Sequence, residues 1–416
     1  MLRLVSERYG PLLALFAAML PLAASSSTGE QSGLGQLQAD IGILRAQLEQ
    51  LQRQVDSQQQ QSCTSADKDK VAPVVAAKPS PVAASLKFST DMRYRHDRIS
   101  ADVFNSDRTR DRLFARAAVQ ATLNPATRLV LGVISGDDDP ISGNQTLGKS
   151  ASSKNLQLDL AYFDWELKPG LRWRGGKYKS PLHRAGGHAL LWDSDLRPEG
   201  LSLVYRNNTW QGSIGYEFLE SDDKGGAQDK LAYFTTQLKR TFRFDDFSGV
   251  LGAGYYHFDT AGKSYGGLGA GFGNSLDSAG YFQFDYRELE FFAEADSSIM
   301  GWPAGVFMDY VKNLDASRED TGYAVGLLLG HVGKTGDLHI RYTYQQLESD
   351  AVLGSFTESD FGLGGSGNKG HVIKGSFQVN PHTMLALSYY NTRYGAGNAE
   401  PEQEADRLLL DLIMKY

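Results

Sequence analysis

The chain has little of what marks most soluble folds. It carries one cysteine, Cys63, in 416 residues, which excludes a disulfide framework and a cysteine-built zinc site. A lone thiol could only join one copy to another, and the low-complexity stretch around it reads as a linker. Beyond the N-terminus no apolar run approaches the ~18 residues that a membrane-spanning helix needs, although 41% of residues are apolar. Basic stripes are absent and the net charge is −7, so nucleic acid is not expected as a partner. Proline is sparse at 13, while there are 45 glycines and 20 each of tyrosine and phenylalanine. Glycine and aromatics suit tight turns, curved strands and interfacial girdles.

The chain begins as an exported protein would. Arg3 and Arg8 precede an apolar stretch, Pro11 to Leu22, followed by Ala23-Ala24-Ser25-Ser26. This is the pattern of a signal peptide over residues 1–25, too short in its apolar part to stay as a span. From Leu34 the apolar residues fall at Leu37, Ile41, Leu44, Leu48, Leu51 and Val55, in steps of three and four. That 3.5-residue period predicts a coiled-coil helix over 33–60. So narrow a seam is buried only against other copies, and the leucine–isoleucine alternation favours three strands or more. Residues 61–85 (QSCTSADKDKVAPVVAAKPSPVAAS) lack the apolar content to fold and predict a flexible linker.

From residue 86 the period changes to two. Leu113, Ala115, Ala117, Val119, Ala121 and Leu123 alternate with Arg112, Phe114, Arg116, Gln120 and Thr122. The last segment sets Leu408, Leu410, Leu412, Met414 and Tyr416 against Arg407, Leu409, Asp411, Ile413 and Lys415. Segments of this kind lie near 86–97, 110–123, 126–136, 154–167, 171–180, 200–207, 209–220 and 229–243. Eight more lie near 248–259, 281–297, 304–313, 321–333, 336–348, 370–380, 382–394 and 405–416. Sixteen is an even count, as closed bacterial barrels require, and the lengths match a tilted bilayer crossing.

Short turns such as Asn124-Pro125-Ala126, Lys168-Pro169-Gly170 and Asn380-Pro381-His382 alternate with longer polar loops, among them 137–153, 181–199, 260–280 and 349–369. This alternation predicts an all-β transmembrane antiparallel barrel over 86–416, with both barrel ends on the short-turn side. The face of 281–297 shifts near Arg287-Glu288, and that of 154–167 between Leu160 and Phe163; bulges are expected there.

The segments RLFARAAVQATLNPATRLVLGVISGDDDPISGNQTLG, LAYFDWELKPGLRWRGGKYKSP, LLWDSDLRPEGLSLVY and LLLDLIMKY resemble the putative porin family of Gram-negative bacteria. The resemblance runs in order along most of residues 86–416. It implies an outer-membrane barrel, a homotrimer, passing small solutes or ions, with a coiled coil in the periplasm. The terminal Tyr416 and its alternating row resemble the signal read by barrel assembly machinery. Outer-membrane lipid and lipopolysaccharide would surround the wall.

In sixteen-stranded porins the third long loop folds inward, and position and resemblance carry this to residues 180–200. There Leu190, Leu191 and Trp192 would dock on the wall, while His183, Arg184, Asp193, Asp195 and Arg197 would line a constriction. On the wall itself, Arg112, Arg116, His339, Arg341 and Lys374 are expected to face the pore, with Asp285, Glu290 and Glu294 elsewhere. Both signs are abundant, so no ion preference follows.

Neither cofactor nor metal is expected. His183 and His188 have no third ligand nearby in sequence, Asp137-Asp138-Asp139 lacks the spacing of a calcium loop, and the glycines of 260–280 stand outside any strand–helix unit. No catalytic Ser/His/Asp grouping is evident, so an enzyme is not expected. The leading expectation is a diffusion channel; the alternatives are a substrate-specific channel and an outer-membrane tether acting through the coiled coil.

Overall fold

The computed structural model describes residues 85–137, 139–222, 224, 230–264, 271–395 and 402–416. The signal segment, the seam from Leu34 to Val55 and most of the linker lie outside them.

Strand follows strand: β1 (Ser85–Ala101), β2 (Arg108–Asn124), β3 (Thr127–Ser135), the two-residue β4 (Gln145–Thr146), β5 (Leu156–Lys168), β6 (Leu171–Lys177), β7 (Glu199–Arg206), β8 (Trp210–Glu220) and β9 (Leu231–Arg243). They continue as β10 (Ser248–Phe258), β11 (Tyr286–Ile299), β12 (Trp302–Asn313), β13 (Thr321–Gly330), β14 (Leu338–Leu347), β15 (Asn368–Asn380), β16 (Thr383–Tyr394) and β17 (Gln403–Lys415). Each long strand pairs antiparallel with the next, and β17 pairs with β1 from Asp91↔Lys415 to Ala101↔Ala405. The sixteen long strands therefore form a closed ring, and β4 adds a short rung beside the top of β2. Thr90 and Tyr416 exchange backbone hydrogen bonds of 2.8 and 3.0 Å, so the pairing runs to the last residue.

Alternation decides which side chains meet lipid. Leu129, Leu131, Leu203, Ile214, Leu238, Leu251, Val306 and Leu327 are exposed on the outer wall, which water would penalise and hydrocarbon does not. Exposed aromatics gather beside the short turns: Trp165, Trp210, Phe244, Phe247 and Trp302. They supply the interfacial girdle on that side.

The structure has one of the two expected bulges, just ahead of the expected stretch Leu160–Phe163, and lacks the other. In β5, Gly132 pairs with Leu160 but Val133 with Leu158, so Asp159 is the extra residue; its carboxylate turns inward and is buried. Near Arg287-Glu288 the register is unbroken. The apparent shift arises because β11 begins only at Tyr286, and Phe282 and Phe284 belong to the preceding loop. Asp285, expected on the wall, instead accepts the backbone N–H groups of Thr260 and Ala261 in that loop at 2.8 and 2.7 Å.

The seam where the ring closes is tied by charge. Asp97 is fully buried and accepts Arg407 at 2.9 and 2.8 Å and Arg110 at 2.7 Å. Removing one member of a buried pair leaves the others uncompensated, at a cost of about 3–5 kcal/mol. Asp97→Ala should therefore lower the temperature at which the barrel loses its compact migration on SDS gels, while Asp107→Ala, in an exposed pair with Arg98, should leave it unchanged.

Candidate functional site: loops folded into the barrel mouth

The connections on the end opposite the short turns are L1 (102–107), L2 (136–155), L3 (178–198), L4 (221–230), L5 (259–285), L6 (314–320), L7 (348–367) and L8 (395–402). Among the described residues L3 and L7 turn inward, joined by part of L5 and by L2, whose Ile141 and Asn144 reach inward groups.

L3 leaves the wall at a pinned base. Tyr178 is buried, its N–H donates to the Pro198 carbonyl at 3.0 Å and its hydroxyl to Glu217 at 2.9 Å. Farther along, the His183 N–H donates to Gln237 Oε1 at 2.7 Å, and Gln237 Nε2 returns a bond to the His183 carbonyl at 3.0 Å. The His183 ring lies between Lys239 (Nδ1, 3.1 Å) and Glu294 (Nε2, 3.0 Å). An ammonium can only donate, so Nδ1 accepts and Nε2–H donates to the carboxylate, which assigns the neutral tautomer.

The tip, Ala185–Gly187, is a single 3-10 turn lying flat on β11, β12 and β14. Gly186 has φ 57°, and a Cβ there would fall 2.2 Å from Phe307 Cδ1. Both the sign of φ and the space therefore demand glycine. Its N–H donates to Glu294 at 2.7 Å and its carbonyl accepts Arg341 at 3.0 Å. His188 follows, fully buried, with Nε2 2.7 Å from Gln345 Oε1.

On its return L3 is apolar, then charged. Leu190, Leu191 and Trp192 are buried in a cluster with Tyr233, Tyr256, Phe258 and Phe356, Trp192 meeting the Tyr256 ring edge-on at 4.9 Å. Asp195 then reaches Arg116 of β2 at 3.1 Å, and Arg197 reaches Asp159 of β5 at 3.2 Å. The loop thus touches the wall at β9, β11, β12, β14, β2 and β5, spanning the lumen.

L7 closes over the same ground from the other side. Asn274 of L5 donates to the Ser349 and Val352 carbonyls at 2.7 and 2.8 Å and accepts the Gly354 N–H at 2.9 Å. Leu353 N–H donates to Glu288 at 2.8 Å. The Phe356 carbonyl accepts Asp193 N–H at 2.7 Å, joining L7 to L3. Beyond it, Glu358 accepts Lys374 at 2.5 Å and Tyr390 at 2.7 Å, and Asp360 bridges Arg95 at 2.9 Å and Arg407 at 3.0 Å.

Burial and charge set the protonation of the loop groups. Burial pushes the His188 imidazole down to about 4. Burial, with Asp195 beside it, pushes the Asp193 carboxyl up to about 8. Burial acts upward on Glu358 too, but Lys374 and His188 outweigh it and hold the group at about 2. Asp360 is likewise held well below the carboxylate range by Arg407 and Arg95, against burial.

The expected site residues are only partly together. His183, Arg184 and Asp195 are half-buried, whereas Trp192, Asp193 and Arg197 are buried: Asp193 and Arg197 brace the loop from within. Arg112, Arg116, Arg341 and Lys374 all point inward and meet L2, L3 or L7, and His339 stands one inward step nearer the turn end than Arg341. His183 and His188 bind different walls, and among the described residues no three potential ligands converge on a metal position. Asp137 accepts Asn155 and Gln145 at 2.7 and 3.2 Å; Asp138 lies outside the described residues. Sequence reasoning missed L7, whose Val352, Leu353, Phe356 and Phe361 are unusually apolar for an external loop, and also the inward Arg93, Arg95 and Arg407.

The opposed shifts of His188 and Asp193 give a pH dependence with a defined sign. The Asp193 contribution is complete below its ordinary ~4 and is lost as pH rises through about 8; the His188 contribution is present above its ordinary ~6.5 and is lost as pH falls through about 4. Of these two groups only Asp193 changes between pH ~6.5 and 8, so raising the pH there should speed hydrogen exchange in the peptide 178–198, after correction for the intrinsic rate. Asp193→Asn should weaken that trend.

Comparison with known proteins agrees with this architecture. The structure of OprB from Pseudomonas putida at high pH is similar at a TM-score of 0.55 and 10% identity, over 80% of this chain and 94% of that one. Salmonella typhi OmpF, solved with daunomycin, is similar at 0.50 and 10% identity, over 80% of this chain and 98% of that one. These likenesses show the fold. No curated protein sequence matches the chain. The profile of the family described as "putative porin" matches residues 89–250 and 277–416, most of the barrel, and the chain belongs to that family of outer-membrane channel proteins.

Proposed function

We propose that the protein is a passive diffusion channel for small hydrophilic solutes or ions, narrowed by L3 and assembled as a homotrimer. The observation that carries the narrowing is the course of L3, which leaves the wall between β6 and β7 and is hydrogen-bonded in turn to Gln237 of β9, Glu294 of β11 and Arg341 and Gln345 of β14. A sixteen-stranded barrel is wide enough for a water-filled lumen, so a loop across it sets the passage. His183, Arg184 and Asp195 are the residues of L3 proposed to meet the solute; Trp192, Asp193 and Arg197 hold the loop in place. The inward fold of L7 favours, as a second reading, a tighter channel for one class of substrate.

The trimer rests on the heptad seam of Leu34, Leu37, Ile41, Leu44, Leu48, Leu51 and Val55. Both barrel ends lie on the short-turn side, which supports the reading of a periplasmic coil left after removal of a signal peptide. A coil of residues 33–60 extends about 40 Å at ~1.5 Å per residue, short for a tether to the cell wall and adequate for a clamp. Insertion by the barrel assembly machinery and contact with lipopolysaccharide follow from the same reading.

Purified full-length protein in planar bilayers should give long-lived conductance steps in groups of three. A barrel that migrates as folded yet leaves the bilayer closed overturns the channel reading. Deleting residues 34–60 should convert trimer to monomer by light scattering in detergent and leave conduction per barrel intact; loss of cell-wall binding with the trimer preserved would favour the tether.

A further inference from the structure

Inward charge in this barrel is segregated. Strands β8 to β12 present Glu217, Glu288, Glu290, Glu294 and Asp309, and strands β1, β2, β14 and β15 present Arg93, Arg112, Arg116, Arg341 and Lys374. L3 and L7 bury the acids of the first arc and touch the second arc mainly through Asp195, Glu358, Asp360 and Phe361. Glu217 is capped by Tyr178 of L3, Glu288 by the Leu353 N–H of L7 and Glu294 by Gly186 and His183. Glu217, Glu288, Glu290 and Asp309 are each no more than 2% exposed.

Carboxylates that do reach the basic side are taken up by arginines. Asp195 binds Arg116; Asp411 binds Arg95; Asp97 and Asp360 bind Arg407. Five cations are left with no carboxylate within 4 Å among the described residues, and neutral groups hold four of them. Arg93 and Arg112 converge on Asn144 of L2, through its side-chain oxygen at 2.9 Å and its carbonyl at 3.0 Å. Arg93 and Arg116 both lie over the Phe114 ring at 4.9 Å. Arg184 donates to the Trp192 carbonyl at 3.4 Å and Arg341 to that of Gly186 at 3.0 Å.

The fifth is Lys179 at the exposed base of L3. Burial lowers its ammonium, and Arg197, Arg116 and Arg184 lower it further, which marks its surroundings as cationic. Carbonyls, an amide and a ring face orient a guanidinium without neutralising it. The Nε atoms of Arg93, Arg112 and Arg341 are buried with no acceptor. Asp139 of L2 enters the region, accepts the Ile141 N–H at 3.0 Å and has no cation within 4 Å among the described residues, and Asp193, raised to about 8, is protonated at neutral pH and adds no charge.

We propose that the open passage beside L3 is an anion path, in which Arg93, Arg112, Lys179 and Arg184 draw small anionic solutes through the barrel. This rests on the channel reading and adds the class of solute. Guanidinium groups suit it, because they present several donors and stay charged at any physiological pH.

The test is the reversal potential of full-length wild-type channels in a KCl gradient. Chloride should permeate at least about threefold better than potassium at low salt, and the ratio should fall toward one as salt screens the fixed charge. The triple variant Arg93→Gln, Arg112→Gln, Arg184→Gln should shift the ratio at least about threefold toward potassium. Arg98→Gln, on the outer wall, should leave it unchanged. A potassium-preferring or unselective wild type overturns the proposal, as does a conducting triple variant with its selectivity intact. Should the triple variant fail to fold, the wild-type reversal potential and the single variants still decide. A folded wild type with no conductance would instead overturn the channel reading and take this inference with it.

Discussion

Backbone amides and carbonyls in hydrocarbon have no water to bond, and each one left open costs several kcal/mol. A sheet in that medium must close on itself. Here the requirement is met by β17 lying against β1, with Thr90 and Tyr416 still exchanging backbone bonds at the last residue. An even, antiparallel ring follows, with both barrel ends and the short turns on one side and the long loops on the other. Those loops can therefore combine at one mouth, and the functional site has a single place to form.

What forms there is an apolar core inside a lumen. Trp192, Tyr256, Phe258 and Phe356 are buried against one another, and they need the wall of β9 to β12 to be so. The docking of L3 is weighted to that arc, where most inward aromatics lie, while Phe361 of L7 packs against Tyr390 and Val372 on the arc that carries arginines. Loop position and charge separation thus have a common origin in which residues occupy the inward positions of which strands.

The barrel was legible because it is local. Period-two alternation in segments such as Arg112 to Leu123 sets strand and face together, and the predicted bounds agree with the observed strands to within a few residues almost everywhere. At β11 the reading slipped: Phe282 and Phe284 imitate strand alternation while packing in a loop. The Asp159 bulge was visible as a change of face, since a bulge leaves its mark on parity. The site was less legible. Position pointed to L3, but that Asp193 and Arg197 turn into the loop and that L7 joins it depend on contacts such as Asp193 with Phe356, 163 residues apart. Such pairings have no local period. The outward leucines and the inward Arg112, Arg116 and Arg341 were plain in the sequence; Arg93, Arg95 and Arg407, and the pairing of one arginine with a carboxylate and its neighbour with an amide, were not.

The acids roofed by L3 and L7 give loop movement a second meaning. A lid that merely blocks a pore alters its bore when it lifts. Here the surface beneath the lid includes Glu288, Glu290 and Asp309, opposite in sign to Arg93, Arg112 and Arg116 across the lumen. Water reaching those carboxylates would set a second polarity facing the arginines. The width of the channel and the electrical character of its wall are therefore a single variable, set by the same pair of loops.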